Sequence, residues 1–186
     1  MRVMPVGLLD VDEKTRAAIA QLQAALTHAH PAGLAAADLT AWVVADLKNG
    51  GAISDLSRRV RDYAQSQRDV YHASWLGDLW KRAYMMRSEQ EYMNHGWDEC
   101  IAVLDKLDNA LIVNDHDTDP CEYTGSGWVA EEAFGTALLC FMLYPDDPIA
   151  VIRRAAFTKG DSDSIAAIAG AFAGAAHGLD AWPASW

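Results

Sequence analysis

The sequence predicts an all-α fold, a compact multi-helix bundle, and three observations predict it. Its 186 residues include 33 alanines against 26 β-branched residues (11 Val, 8 Ile, 7 Thr). Alanine has the highest helix propensity, whereas β-branched side chains favour strands. Apolar residues recur at helical rather than alternating spacing along most of the chain. Prolines, glycines and capping residues then divide the chain at helix-length intervals.

Taken in order, residues 11–29 read as the first helix, with Val11, Ala18, Leu22, Ala25 and Leu26 at helical spacing. Pro31 disfavours helix at His30 and can itself start the next helix. The second helix runs over 32–48 on Leu34, Leu39, Trp42, Val43 and Leu47, and Asn49-Gly50-Gly51 stops it. Ser54 or Asp55 can cap a third helix that reaches about Arg68. Residues 69–94 interleave aromatic side chains and methionines with basic residues, among them Tyr71, Trp75, Trp80, Tyr84, Met85, Met86, Tyr92 and Met93. Two readings apply: a stacking surface for nucleic acid, or an amphipathic helical excursion packed on the body. The acidic balance of the chain favours packing.

Ser88 and Glu91 have capping-box spacing, and the helix they open extends to about Val113. Its core stripe includes Trp97, Ile101, Leu104, Leu107 and Leu111. Turn formers make 114–127 a loop. Its three aspartates lack the central Gly and closing Glu of an EF-hand, so a solvated acidic loop is the expectation rather than a calcium site. A further helix runs from Trp128 to about Leu143, with Glu131 and Glu132 near its positive end. Pro148 starts another, to about Phe157. The last helix covers Ile165 to His177, with Gly178 and Pro183 as stops. Six or seven helices result.

Composition excludes several classes. Lys plus Arg is 15 and Asp plus Glu is 26, a net charge of −11. A general nucleic-acid surface needs clustered cations, and anionic lipid attracts basic patches, so neither nucleic acid nor membrane is an expected partner. Cys100, Cys121 and Cys140 are an odd number without C-x-x-C spacing. That argues against a disulfide framework or zinc knuckle and for a reducing compartment. The run Val3–Leu9 is broken by Pro5 and followed by Asp10 and Asp12, which is no signal peptide. A cytoplasmic location is expected.

The sharpest local feature is Lys159-Gly160-Asp161-Ser162-Asp163-Ser164. Two carboxylates two residues apart, followed by a hydroxyl, are hard oxygen ligands of the kind magnesium, calcium and manganese prefer. The alternative is that Asp161 or Asp163 merely caps the helix. The Ala/Gly-rich run Ile165–Ala176 that follows is too short to span a membrane and reads as a buried central helix of a bundle. By that reading Gly170 and Gly174 are sites of close backbone approach.

Gly160 through Ala171 resembles the C-terminal metal motif of the ADP-ribosylglycohydrolases, the dinitrogenase-reductase-activating glycohydrolase family. Gly178–Trp186 resembles that family's closing segment, and Gly125–Ala133 its substrate-loop motif. Thr27-His28 with Pro31 resembles its Thr-His motif, and Met1–Gly7 a segment from the middle of its domain. The matches fall in order over 1–186 as a single domain, with 54–94 the less matched helical stretch.

The resemblance implies an all-α domain with a two-metal site of magnesium or manganese that hydrolyses the bond joining ADP-ribose to a protein side chain or small molecule. It implies that Asp161, Asp163 and Ser164 are metal ligands, with Asp161 and Asp163 catalytic through the metals. His28 would touch ADP-ribose, and Ser126, Gly127 and Trp128 would line its nucleotide part. A Gly-rich loop before a helix could also present free backbone N–H groups to an anion.

The sequence departs from the family's pattern in lacking the Gly-rich first helix and the Thr-Asp-Asp-Thr motif, which supply the other half of the metal ligands. The domain is therefore expected to be N-terminally incomplete, with a missing N-terminal half as a partner and with this chain inactive alone. The rivals are a non-catalytic helical remnant that binds ADP-ribose or a protein partner, and a structural module whose motif residues only cap and pack.

Overall fold

The computed structural model describes residues 1–83 and 86–186, and among them the regular structure is entirely helical. Nine α-helices follow in order: α1 (Glu13–Ala25), α2 (Pro31–Lys48), α3 (Leu56–Gln67), α4 (Ala73–Leu76), α5 (Glu89–Val113), α6 (Cys121–Thr124), α7 (Ala130–Leu143), α8 (Pro148–Ala156) and α9 (Ser162–His177). Short 3-10 turns lie at Met4–Leu8, Ile53–Asp55, Leu79–Arg82 and Leu179–Ala181. The helical class is as the composition predicts. The count exceeds six or seven because α4 and α6 are single turns, too short to show a period.

The caps explain most boundaries. Asp12 accepts from the Thr15 amide to start α1, Ser88 from Glu91 to start α5, and Asp147 from Ala150 to start α8. Glu91 reaches back to the Arg87 amide at 2.9 Å, one residue before the Ser88 amide that a full capping box would bond. Pro31 and Pro148 sit at first helical positions, where a missing N–H costs nothing. The capping expected from Ser54 or Asp55 is absent: Asp55 holds the position before α3, but its side chain bonds Arg58 instead.

The centre of the bundle is α2, with 14 of its 18 residues buried. It packs against α1, α5, α7 and α9. Its alanines let neighbours approach on every side. Next most enclosed is α7, with Phe134 and Phe141 set edge-on to Phe172 of α9 at centroid distances of 6.1 and 6.2 Å. Trp97 and Tyr92 of α5 are wholly buried in the same core.

The central position expected for the last helix therefore belongs to α2. In α9 the buried residues are Ile165, Ile168, Ala169, Phe172 and Ala173, a single stripe. A side chain at Gly170 would meet Ile152 only at ordinary contact distance, 3.5 Å, and one at Gly174 would meet nothing within 4 Å. Alanine lowers the polarity of a helix all round without committing each face to burial, which is why composition alone misplaced this one.

Among the described residues of the aromatic stretch 69–94, several rings pack inward, although Trp75 is 43% exposed. Tyr92 and Met93 are fully buried, and Tyr71 and Trp80 lean on the core. Arg59 pairs with Asp46 at 2.5 Å, Arg61 with Asp105 and Asp108 at 2.8 and 2.6 Å, and Arg68 with Asp98 at 2.7 Å. These cations flanking the stretch are engaged by carboxylates, and within it Lys81 pairs with Asp78 at 3.6 Å and lies 5.7 Å from the Trp80 ring centroid. Tyr84 and Met85 lie outside the described residues. No helix among the described residues is long and apolar enough to cross a membrane.

Candidate active site

The acidic loop is solvent-facing, as expected, and it is also an organised support. Asp115 accepts from the amides of Asp117 and Thr118 at 2.8 and 3.2 Å and from the Tyr123 hydroxyl at 2.7 Å. The Thr118 side chain above all, then the Tyr123 hydroxyl and the two amides, hold its carboxyl well below the usual carboxylate range. Asp119 accepts from the Cys121 amide at 3.0 Å and, across the chain, from the Lys159 amide at 2.8 Å. Burial opposes its ionisation, but those two N–H groups keep its carboxyl below the ordinary value. Asp119 thus ties the start of α6 to the turn that precedes α9. Because the Asp115 and Asp119 oxygens are spent on N–H and O–H groups, the calcium reading gains nothing from the geometry.

The two motif loops are then joined directly. The Asp161 amide donates to the Ser126 carbonyl at 2.8 Å. Gly160 makes this possible: a Cβ there would collide with the Ser126 carbonyl and come within 2.8 Å of Cys121 Sγ. Thr136 of α7 donates to the Gly125 carbonyl at 3.0 Å, with Thr124 Oγ1 2.7 Å away, so buried hydroxyls hold the same loop from below. Gly127 has φ +79°, the left-handed region that glycine enters without penalty.

This assembly forms one wall of a cleft of about 510 Å³. Gly127, Trp128, Val129, Asp161 and Ser164 contribute that wall. Gln23, Thr27 and His28 from the α1–α2 corner, with Ala36, Ala37 and Thr40 of α2, contribute the other. Arg2 reaches in from the N-terminal segment and donates to Thr27 Oγ1 at 2.7 Å, while His28 Nδ1 lies 3.0 Å from the same hydroxyl. The volume lies within the range of small-molecule sites. Among the described lining residues, Arg2 is the one cationic side chain and Asp161 the one carboxylate.

Of the residues singled out from the sequence, His28, Gly127, Trp128, Asp161 and Ser164 line the cleft. Ser126 and Asp163 do not. Ser126 acts through its carbonyl, as the strut to Asp161. Asp163 is exposed at the first turn of α9, where a hydrogen bond with the Asp161 side chain and one from the Ser164 amide hold its carboxyl below the usual range.

Asp161 stands at the N-cap of α9, yet its side chain makes no capping hydrogen bond. The simple capping role is therefore not taken up at Asp161, and its carboxylate faces the cleft. The expected row of free amides is reduced: the Gly127 N–H donates to Glu132 at 3.2 Å and the Gly125 N–H to the Cys121 carbonyl at 3.1 Å. Glu131, beside Glu132, has its carboxyl pushed up by burial and by the charges of Glu99 and Glu132. Arg2 escaped the sequence reading as a site residue, and Thr27 enters it only as part of the Thr-His motif, without a role of its own.

Fold and site together define a helical protein with a largely apolar cleft, a few polar groups at its walls, built at three inter-helix junctions. The chain belongs to the ADP-ribosylglycohydrolase family, whose model matches residues 1–186, the stretch 54–94 included. It is similar to ADP-ribosylhydrolase ARH3 of Homo sapiens, with 29% identity over 201 residues that cover 100% of this chain and 51% of that protein. The chain thus spans about half the length of the curated relative it matches. No solved structure matches it.

Proposed function

We propose that this protein serves the hydrolysis of the glycosidic bond between ADP-ribose and a protein side chain or small molecule, with the cleft as its ADP-ribose site. One observation carries the reading: Thr27-His28, Gly127-Trp128 and Asp161 with Ser164, far apart in sequence, line one cavity of about 510 Å³. Each has a chemistry that suits the ligand. Trp128 is 75% exposed at the rim and offers an indole face to a base. Arg2 supplies a cation to a pyrophosphate in an otherwise acidic protein. With Nδ1 beside Thr27, His28 keeps Nε2 for a sugar hydroxyl or phosphate oxygen.

Magnesium or manganese fits the donor set. Asp161, Asp163 and Ser164 are adjacent hard oxygen donors, and the Asp161 carboxylate is not occupied by capping. These three residues would hold the cation. When bound, such a cation supplies charge stabilisation at the reacting centre and orientation of water.

A binding role without turnover is the second reading, favoured by the single carboxylate in the cleft. Magnesium wants near-octahedral oxygen coordination, and a two-metal site needs ligands on both sides. The 186-residue chain assayed alone is therefore expected to bind ADP-ribose and to release little or none from modified peptides. The test combines calorimetry of ADP-ribose binding with release from ADP-ribosylated arginine and serine peptides in magnesium or manganese. A parallel assay adds a segment bearing Thr-Asp-Asp-Thr, which should raise turnover. Absence of ADP-ribose binding under every condition would overturn the assignment of the cleft. Robust turnover by the chain alone, abolished in Asp161→Asn, would remove the binding-only reading.

A further inference from the structure

A second group of ligating side chains lies outside the cleft wall that carries Asp161. His30 is the residue immediately before α2, while His95 and Glu99 share one face of α5 at i and i+4. His95 Nε2 is 3.3 Å from one Glu99 oxygen, and His30 Nδ1 is 4.0 Å from the other. The imidazole centroids are 5.7 Å apart, and one ligating atom from each of the three residues lies within 4.8 Å of the others. Despite this closeness, no hydrogen bond joins the three among the described residues. His30 Nδ1 accepts only a long bond, 3.3 Å, from the Ala32 amide.

The backbone holds the three in place. Gly96, next to His95, lets α5 touch the start of α2: a Cβ there would collide with the Pro31 carbonyl and come within 2.8 Å of the Ala32 nitrogen. One turn earlier, the Tyr92 hydroxyl donates to the Ala29 carbonyl at 2.5 Å. His30 is therefore bracketed by two anchors to the helix that carries His95 and Glu99. Sites on such rigid supports keep their geometry better than sites on free loops. The side chains themselves are partly exposed, so small rotations can close the ligand atoms to the ~3.3–3.5 Å separations of a tetrahedral ion with ~2.1 Å bonds.

We infer that His30, His95 and Glu99 form a site for a divalent transition ion of the zinc class, distinct from the hard-cation ligands at Asp161, Asp163 and Ser164. Two neutral imidazoles and one carboxylate are the donors that zinc, cobalt and nickel take in preference to magnesium. Three protein ligands leave a position for water. Binding exchanges the weak Ala32 bond of His30 for a metal bond and staples the start of α2 to α5. The staple lies two residues from His28. Its effect on the cleft rests on the ADP-ribose reading above, but the site itself does not.

The test uses the tag-free 186-residue chain and three variants, His95→Ala, Glu99→Gln and Asp163→Ala. Zinc binding is followed by calorimetry, and cobalt by the visible absorption of a low-coordinate ion. Wild type and Asp163→Ala should each take up one zinc, show the cobalt bands and melt at higher temperature with zinc than without. His95→Ala and Glu99→Gln should bind at least tenfold more weakly and lose both responses. Circular dichroism of the metal-free variants distinguishes lost ligands from lost folding, and the conservative Glu99→Gln keeps the test open should His95→Ala misfold. Failure of wild type to bind zinc would overturn the inference. So would equal binding by all four proteins, which would place the ion elsewhere, for example at Cys121. ADP-ribose calorimetry on the same samples reports the cleft separately.

Discussion

The backbone N–H of Asp161 donates to the carbonyl of Ser126 at 2.8 Å, and this one bond fuses the loop before α7 to the loop before α9. Through it, the residue that faces the cleft with a carboxylate is positioned by a residue that never enters the cleft. The joint exists only because Gly160 presents no side chain to the Ser126 carbonyl.

Gly160→Ala should accordingly separate the loops. Overpacking of this kind costs on the order of 1–3 kcal/mol, and the urea midpoint should fall with an unchanged slope. ADP-ribose affinity should fall beyond what the stability loss explains, because Gly127, Trp128 and Asp161 would no longer share one wall. A variant with wild-type midpoint and affinity would mean that the loops are not coupled.

Trp128 makes the opposite prediction. It is 75% exposed, so Trp128→Ala should leave the urea midpoint within experimental error. If the indole stacks on adenine, affinity for ADP-ribose should weaken by about 1–3 kcal/mol, while affinity for ribose 5-phosphate stays the same. Equal losses for both ligands would place the base elsewhere.

Asp38 governs a pH dependence of folding. It is buried in the central helix, where its carboxylate accepts from Gln21 Nε2 at 2.9 Å and from the Tyr63 hydroxyl at 2.8 Å. Burial outweighs those bonds and raises its pKa from 3.8 to about 6. A raised folded-state value means that the folded protein prefers the proton. The contribution is fully present below pH 3.8 and is lost as pH rises through about 6, a change of about 3 kcal/mol. Asp38→Asn should remove that slope. It should also be neutral or stabilising at pH 7, since its amide can donate to Gln21 Oε1, a buried oxygen without a partner, once the Gln21 amide turns over. Urea midpoints at pH 5 and pH 7.5 for both proteins give the check: parallel pH dependence would show that Asp38 is not the group responsible.

Gly170 and Gly174 lie within α9 where an added methyl finds ordinary contact or open space. Glycine in a helix interior costs roughly 0.5–1 kcal/mol against alanine. Gly174→Ala should therefore raise the thermal midpoint, and Gly170→Ala should do so by a similar or smaller amount. Lower midpoints for both would restore the close packing that the small-residue pattern predicts.

What the sequence determined by itself was local. Ser88 with Glu91, Pro31, Pro148 and Gly178 mark helix ends because a cap or a missing N–H acts within a few residues. The alanine content determined the helical class, and the order of short motifs pointed to the family. What only the tertiary structure decided was which chain segments meet. The sequence placed the Ala/Gly run at the core, but burial depends on what surrounds a helix, and α2 is the one enclosed on every side. Asp117 differs from Asp115 and Asp119 in no sequence signal, yet the two that organise the turns do so because amides and a hydroxyl are brought to them by folding. His30 and Glu99 are far apart along the chain, and the contact of Gly96 with Pro31 and the bond of Tyr92 to Ala29 set them side by side. Periodicity and capping act along a helix. Proximity across helices arises from packing, and packing is a property of the whole chain.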